Sequence, residues 1–350
     1  MANPHGELTL QLPGWDQAKW WLGRPDTAYY IGIVRDGYKA ARYSSREAAN
    51  WAFFPAYPIL VRLLADGRAP EFLLAVGFGL SLSFYACGTW LLGRLLLLDF
   101  DTETVTRTLL LFCFYPLAFS LGIFGPDSLL FLAASAAFYC ARKGRWPMAA
   151  LATGIASITR VQGVLVLPCL LYMCWRSRPK IDRRFAWLAV APLGLAAFAW
   201  HLWRLTGNPL AFVGIQRAWN DSPSYPFAFL VDFLRSPKLI GSDGWDPTVL
   251  TVAVTCGATG LALWSWRRRQ MPLEYCLFFA LQVVVLTCRS SAMGNLRYAT
   301  GCFPFFLALG ITSKRTVIFG VLLAVFAGFL GLMAALFGAG HHTGYFFAAF

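Results

Sequence analysis

Residues 125–176 read GPDSLLFLAASAAFYCARKGRWPMAALATGIASITRVQGVLVLPCLLYMCWR. The stretch contains three apolar runs, 128–141, 146–160 and 163–176, and Arg142, Lys143 and Arg145 fill the gap between the first two. A helix that crosses a bilayer needs about 20 apolar residues, because it rises 1.5 Å per residue across about 30 Å of hydrocarbon. These runs cover only about 22 Å each. Basic residues pin one end of each run at a membrane surface. The turns at the other end, Gly125-Pro126-Asp127-Ser128 and Thr159-Arg160-Val161-Gln162-Gly163, must then sit below the opposite surface. Non-helical backbone at that depth is tolerated only where it lines a cavity. An ionisable residue there is a functional candidate by default, which singles out Asp127 and Arg160.

The rest of the chain extends this pattern. Of 350 residues, 58% are hydrophobic and 13% charged, about half the charge of a soluble domain. That composition excludes a soluble or disordered chain and predicts an all-α polytopic membrane protein. Further spans are predicted at 72–96, 105–124, 185–206, 247–266, 272–288, 298–312 and 316–338, making about ten. Every second loop is basic: 142–145, 176–184, 267–269 and 314–315. Membrane proteins accumulate Lys and Arg in the cytoplasm, so these loops are assigned there. The same bias accounts for the net charge of +13 without a nucleic-acid partner. The segments 1–71, 125–127, 160–162, 207–246 and 289–297, and the tail after His342, then face the other side. Within them, 51–65 and 208–220 read as helices lying in the interface. No linker divides the chain, so 1–350 is expected to be a single domain with its site on the outer loops 1–71 and 207–246. No signal peptide is expected in residues 1–25. The nine cysteines lie mostly in apolar runs, without the spacing of a zinc site or disulfide framework.

Five segments carry candidate chemistry. Asp26 heads a short amphipathic helix followed by Tyr29, Tyr30, Ile33, Gly37 and Tyr38. An Asp in a first helical turn is favoured by the helix dipole, and it can also serve as a general base at the membrane surface. Trp51-Ala52-Phe53-Phe54-Pro55-Ala56-Tyr57-Pro58 reads as an aromatic belt or as part of a site. Arg160 fits either an ion pair with Asp127 or a bidentate phosphate contact. Arg297, in Asn295-Leu296-Arg297-Tyr298, fits either a surface anchor or a second anion contact.

Together these segments resemble the GPI mannosyltransferase 2 (PIG-V type) family and its bacterial mannosyltransferase relatives, within the GT-C superfamily. The matching motifs, in family order, are Asp26 to Tyr38; Phe53-Phe54-Pro55-Ala56-Tyr57-Pro58; Gly125 to Phe131; and Ile158-Thr159-Arg160-Val161-Gln162-Gly163. They continue with Gly207 to Phe212, Gln216 and Trp219, then Arg297-Tyr298 and Phe303 to Leu309. Pro25 stands where the family usually has Trp, and Asp127 where many members carry Glu. The helix that family members carry before the Asp motif is expected to be missing.

The resemblance implies a GT-C-type glycosyltransferase with interfacial helices on the outer face. Its donor would be a polyprenyl- or dolichyl-phosphate mannose, and its acceptor a glycan or lipid hydroxyl. Transfer would invert the anomeric centre. Asp26 would be the catalytic base. Arg160, Arg297, Asp127, Tyr30, Tyr57 and Gln216 would bind the donor phosphate or substrate. Neither a metal nor a cofactor is expected. The compact loops favour a bacterial inner membrane, or the endoplasmic reticulum membrane if the chain is eukaryotic. The alternative is a transporter or flippase for a lipid-linked solute, though the inverted repeats such proteins tend to show are not seen in the sequence.

Overall fold

The computed structural model describes residues 25–177, 183–219, 222–235, 240–241, 244–245, 248–290 and 294–338. The N-terminal segment before Pro25, the tail after His342 and parts of the 207–246 loop lie outside the described residues. The described chain is helical apart from a two-residue antiparallel ladder, β1 (Ile240–Gly241) with β2 (Gly244–Trp245).

Three helical stretches, the second interrupted by a turn, are long and apolar enough to cross a membrane: Pro70–Leu96, Arg184–Thr206 and Thr316–Phe337. The other seven expected spans hold helices of 10 to 21 residues. In chain order, α1 is Pro25–Asp36, α2 Ala56–Ala65, α3 Pro70–Leu96 and α4 Thr102–Cys113. The predicted span 105–124 breaks after Cys113. Pro116 has no amide to donate and disfavours helix in the residue before it, so the chain turns and resumes as a 3-10 segment, Ala118–Leu121. Next come α5 (Asp127–Arg142), α6 (Trp146–Ser157) and α7 (Val166–Ser177). The segment 185–206 divides into α8 (Arg183–Leu188) and α9 (Leu193–Thr206), with Pro192 capping the second piece. The expected interfacial segment 208–220 forms α10 (Ala211–Gly214) and a 3-10 turn, Ile215–Trp219. An unexpected helix follows, α11 (Ala228–Arg235). The remaining helices are α12 (Thr248–Arg268), α13 (Leu273–Thr287), α14 (Asn295–Tyr298), α15 (Phe303–Thr312) and α16 (Thr316–Gly338).

The bundle is closed by small residues and aromatic rings. Gly88 lets α3 lie against α5, since a Cβ there would sit 2.7 Å from the Phe131 ring. Phe112 stacks on Phe131 with centroids 4.6 Å apart, and Phe306 packs edge-on to Phe112 at 5.1 Å. A second cluster, including Tyr30, Ile33, Val34, Phe53, Tyr57, Leu73, Leu74 and Phe124, docks α1 and α2 on one end of α3 and α5. A third, with Trp51, Phe54, Phe198, Leu202, Phe212 and Ile215, holds the 3-10 turn Asn50–Ala52, α9 and α10 together.

Among the described residues, ion pairs between distant segments gather at two places, while Arg62–Asp66 and Arg107–Glu103 join residues four apart. At the first, the guanidinium of Arg142 donates to both carboxylate oxygens of Asp99 (2.6 Å to Oδ2) and stands 3.7 Å from Glu274. Tyr275 donates to Asp99 (3.2 Å), and Arg176 is 4.0 Å from Glu274. Arg142, Arg176 and Glu274 come from segments adjoining the basic loops, and Asp99 from the turn between α3 and α4. The second collection of charge forms the candidate site.

Candidate functional site

The turn after α6 is built to present Arg160. Ser157 and Thr159 hydroxyls donate to the carbonyls of Gly154 (2.8 Å) and Ile155 (2.6 Å), occupying acceptors left open where a helix ends. Arg160 is extended, and the Gly163 amide donates to its carbonyl (2.9 Å) to close the turn. A side chain at Gly163 would collide with the Ala156 carbonyl, so the turn requires glycine there. The aromatic segment is tied to the same place, because the Ala56 amide donates to Ile158 O (3.0 Å).

Arg297 is positioned by α14. Gly294 takes a left-handed conformation (φ 79°), which glycine adopts freely, and starts the helix. The Asn295 amide group donates to Leu286 O (3.0 Å), and the Tyr115 hydroxyl donates to Leu296 O (2.9 Å). Thus anchored, Arg297 is 1% exposed. Its Nη1 lies 3.3 Å from Asp26 Oδ2, and its Nε lies 4.0 Å from Asp127 Oδ2. Burial opposes the charge on Arg297. Asp127 and Asp26 outweigh it and hold its pKa above the usual arginine value.

These residues border a cavity of about 330 Å³, whose lining includes Asp26, Tyr30, Arg160, Gln216, Arg297 and Tyr298. Phe53, Phe54 and Phe212 contribute apolar wall. Among the described residues, the side-chain hydrogen bond of Asp26 goes to Arg297, across 271 positions of sequence. Asp26 thus sits in the first turn of α1, where the helix dipole favours a carboxylate, and also faces Arg297 at the cavity wall.

Two residues expected on the substrate stand behind that wall. Asp127 is absent from the lining, and its carboxylate pairs with Arg160 and faces Arg297. It anchors the guanidiniums and does not touch the cavity. Tyr57 is fully buried. Its hydroxyl donates to Gly77 O (2.6 Å) and lies 2.8 Å from Ser81 Oγ, so it ties α2 to α3. The Ala56 amide bond to Ile158 O ties the start of α2 to the Arg160 turn, and the Tyr57 ring points into the bundle.

Of the lining residues that were not identified as site residues from sequence, two adjoin the guanidiniums. Arg289 follows α13. Its backbone forms an antiparallel bridge with Pro223, and its Nη1 donates to Asn295 Oδ1 (3.2 Å). The Ser224 amide donates to Cys288 O (3.0 Å) and the Ser290 amide to Ser222 O (2.9 Å), pinning the outer loop across the cavity. Tyr298 is the other. The guanidinium carbons of Arg160, Arg289 and Arg297 stand 4.8, 5.1 and 5.2 Å from the centroid of its ring. The clue available in sequence was a second outer arginine eight positions before Arg297. Among the described residues, no three His, Cys, Asp or Glu side chains come together as metal ligands.

No family model matches the sequence, and no curated protein matches it. Two solved structures of the Archaeoglobus fulgidus oligosaccharyltransferase are similar in shape. The form tethered with an acceptor peptide containing the NVT sequon is 11% identical, with a TM-score of 0.48 over 90% of this chain and 50% of that one. The apo form is 12% identical, with a TM-score of 0.47 over 91% and 51%. The chain thus spans about half the length of these structures.

Proposed function

We propose that this chain is a membrane-embedded glycosyltransferase of the GT-C type. It crosses the membrane about ten times. It moves a hexosyl group, mannosyl by its sequence resemblance, from a polyprenyl or dolichyl phosphate to an acceptor hydroxyl on the non-cytoplasmic face. The observation that carries this reading is the cavity in which the Asp26 carboxylate meets a wall holding Arg160, Arg289 and Arg297. A base beside an anion-binding wall is what displacement of a lipid phosphate requires.

The acceptor hydroxyl would pass its proton to Asp26 as its oxygen attacks the anomeric carbon. The bond from that carbon to the phosphate oxygen breaks on the opposite face, so configuration inverts. The leaving phosphate gains negative charge, which the guanidiniums stabilise in a site largely removed from water. Gln216 and Tyr30 line the same cavity and would bound the sugar. Asp127 holds Arg160 in place.

Membranes containing the full chain, supplied with polyprenyl-phosphate [3H]mannose, are expected to transfer label to an endogenous lipid or glycan. Membranes without it are not. Equal label in both would reject mannosyl transfer. Polyprenyl-phosphate glucose as the alternative donor distinguishes a wrong sugar from a wrong activity.

A further inference from the structure

Arg160, Arg289 and Arg297 each stand about 5 Å from one ring centroid, so they lie no more than about 10 Å from one another. Like charges gathered this closely away from water repel strongly. Asp127 pairs with Arg160 and lies 4.0 Å from Arg297, and Asp26 lies 3.3 Å from Arg297, so these carboxylates draw in two of the three guanidiniums. The shared contact is Tyr298, whose ring face carries negative charge density that attracts cations.

We propose that the Tyr298 ring is the platform that gathers Arg160, Arg289 and Arg297 into a single phosphate-binding wall. The inference rests on the donor-phosphate reading above and adds a ligand contact, Arg289, and a positioning residue, Tyr298. Both line the cavity with Arg160 and Arg297. A phosphate spreads its charge over several oxygens and can engage more than one planar guanidinium. Its arrival relieves the repulsion that the ring and the two carboxylates only partly offset. Arg289 is also the arginine whose backbone is bridged to the outer loop at Pro223, so it couples that loop to the anion.

The test uses the purified full chain in detergent, with farnesyl monophosphate as probe and farnesol as its uncharged match. Wild type is expected to bind the phosphate at least about tenfold more tightly than the alcohol. Tyr298→Phe keeps the ring and should retain that preference. Tyr298→Leu removes the ring and should lower phosphate affinity about tenfold, leaving farnesol unchanged. Arg289→Gln should lower phosphate affinity by a similar factor.

A Tyr298→Leu protein with wild-type preference overturns the platform, as does a Tyr298→Phe protein that loses as much as Tyr298→Leu. Wild-type affinity in Arg289→Gln removes that residue from the wall. Should Tyr298→Leu fail to fold, Tyr298→Met, which keeps an apolar side chain without the ring, takes its place with the same expected loss and the same overturning result. No phosphate preference in wild type overturns both this inference and the donor reading. A phosphate preference without sugar transfer leaves the wall standing and rejects glycosyl transfer alone.

Discussion

Asp26 occupies two relations at once, lining the cavity and standing 3.3 Å from Arg297. Asp26→Asn keeps the shape and an acceptor oxygen but removes the charge. As a base, Asp26 should lose about a hundredfold or more in transfer rate on this change, while farnesyl phosphate affinity stays within about threefold. A parallel fall in both would make it the anchor of Arg297 alone. Arg160→Lys tests a different property. Lysine can still meet Asp127, but it lacks the planar fork and the stacking surface offered to Tyr298. The expected result is a donor KM raised about tenfold or more with little change in melting temperature. A wild-type KM would mean that Arg160 serves only to pair with Asp127. These residues were legible because a charge beside long apolar runs is costly and needs a reason. Tyr57 was placed wrongly because a motif does not tell which way a ring points. That direction is held by the contacts of its hydroxyl with Gly77 O and Ser81 Oγ, which only the folded chain makes.

The α3–α5 contact tests packing at the scale of the element. Gly79 and Gly88 lie on the same helix, yet a Cβ at Gly79 meets nothing within 4 Å, whereas one at Gly88 meets the Phe131 ring at 2.7 Å and Leu132 Cα at 3.3 Å. Gly79→Ala should leave the melting temperature in detergent unchanged or raised, since alanine is the better helix former. Gly88→Ala should lower it, with an overpacking cost of about 1–3 kcal/mol. Equal melting temperatures would show that the two helices do not pack through Gly88. Helix positions were read well from hydropathy. Their lengths were read poorly wherever proline intervened, as at Pro116 and Pro192. α11 was missed because eight residues make too short an apolar pattern to stand out within a long loop.

The two clusters of charge draw together segments that the pattern of basic loops assigns to opposite sides. Arg142, Arg176 and Glu274 lie in or beside loops assigned to the cytoplasm and meet Asp99, and Asp26, Arg160, Arg289 and Arg297 lie in segments assigned to the outer side. Cysteines introduced at Glu47 and Arg145, in a background with the native cysteines replaced by alanine, should react with a membrane-impermeant maleimide from opposite sides. Glu47 is expected to be outside and Arg145 in the cytoplasm. Labelling of position 47 from the cytoplasm would invert the orientation and place the cavity on the face where the proposed transfer does not occur.

By itself the sequence determined the class of solvent, the helical character and the candidate charges. Each of these follows from local transfer free energies that composition and spacing express directly. It also marked Asp26, Arg160 and Arg297, since polar groups in apolar surroundings stand out one at a time. Tertiary structure alone decided that these three share one cavity, that Asp127 sits behind the wall and that Tyr298 faces three guanidiniums. Those relations join residues up to 271 positions apart. They arise from the packing of helices against one another, and no local pattern along the chain encodes which faces will meet.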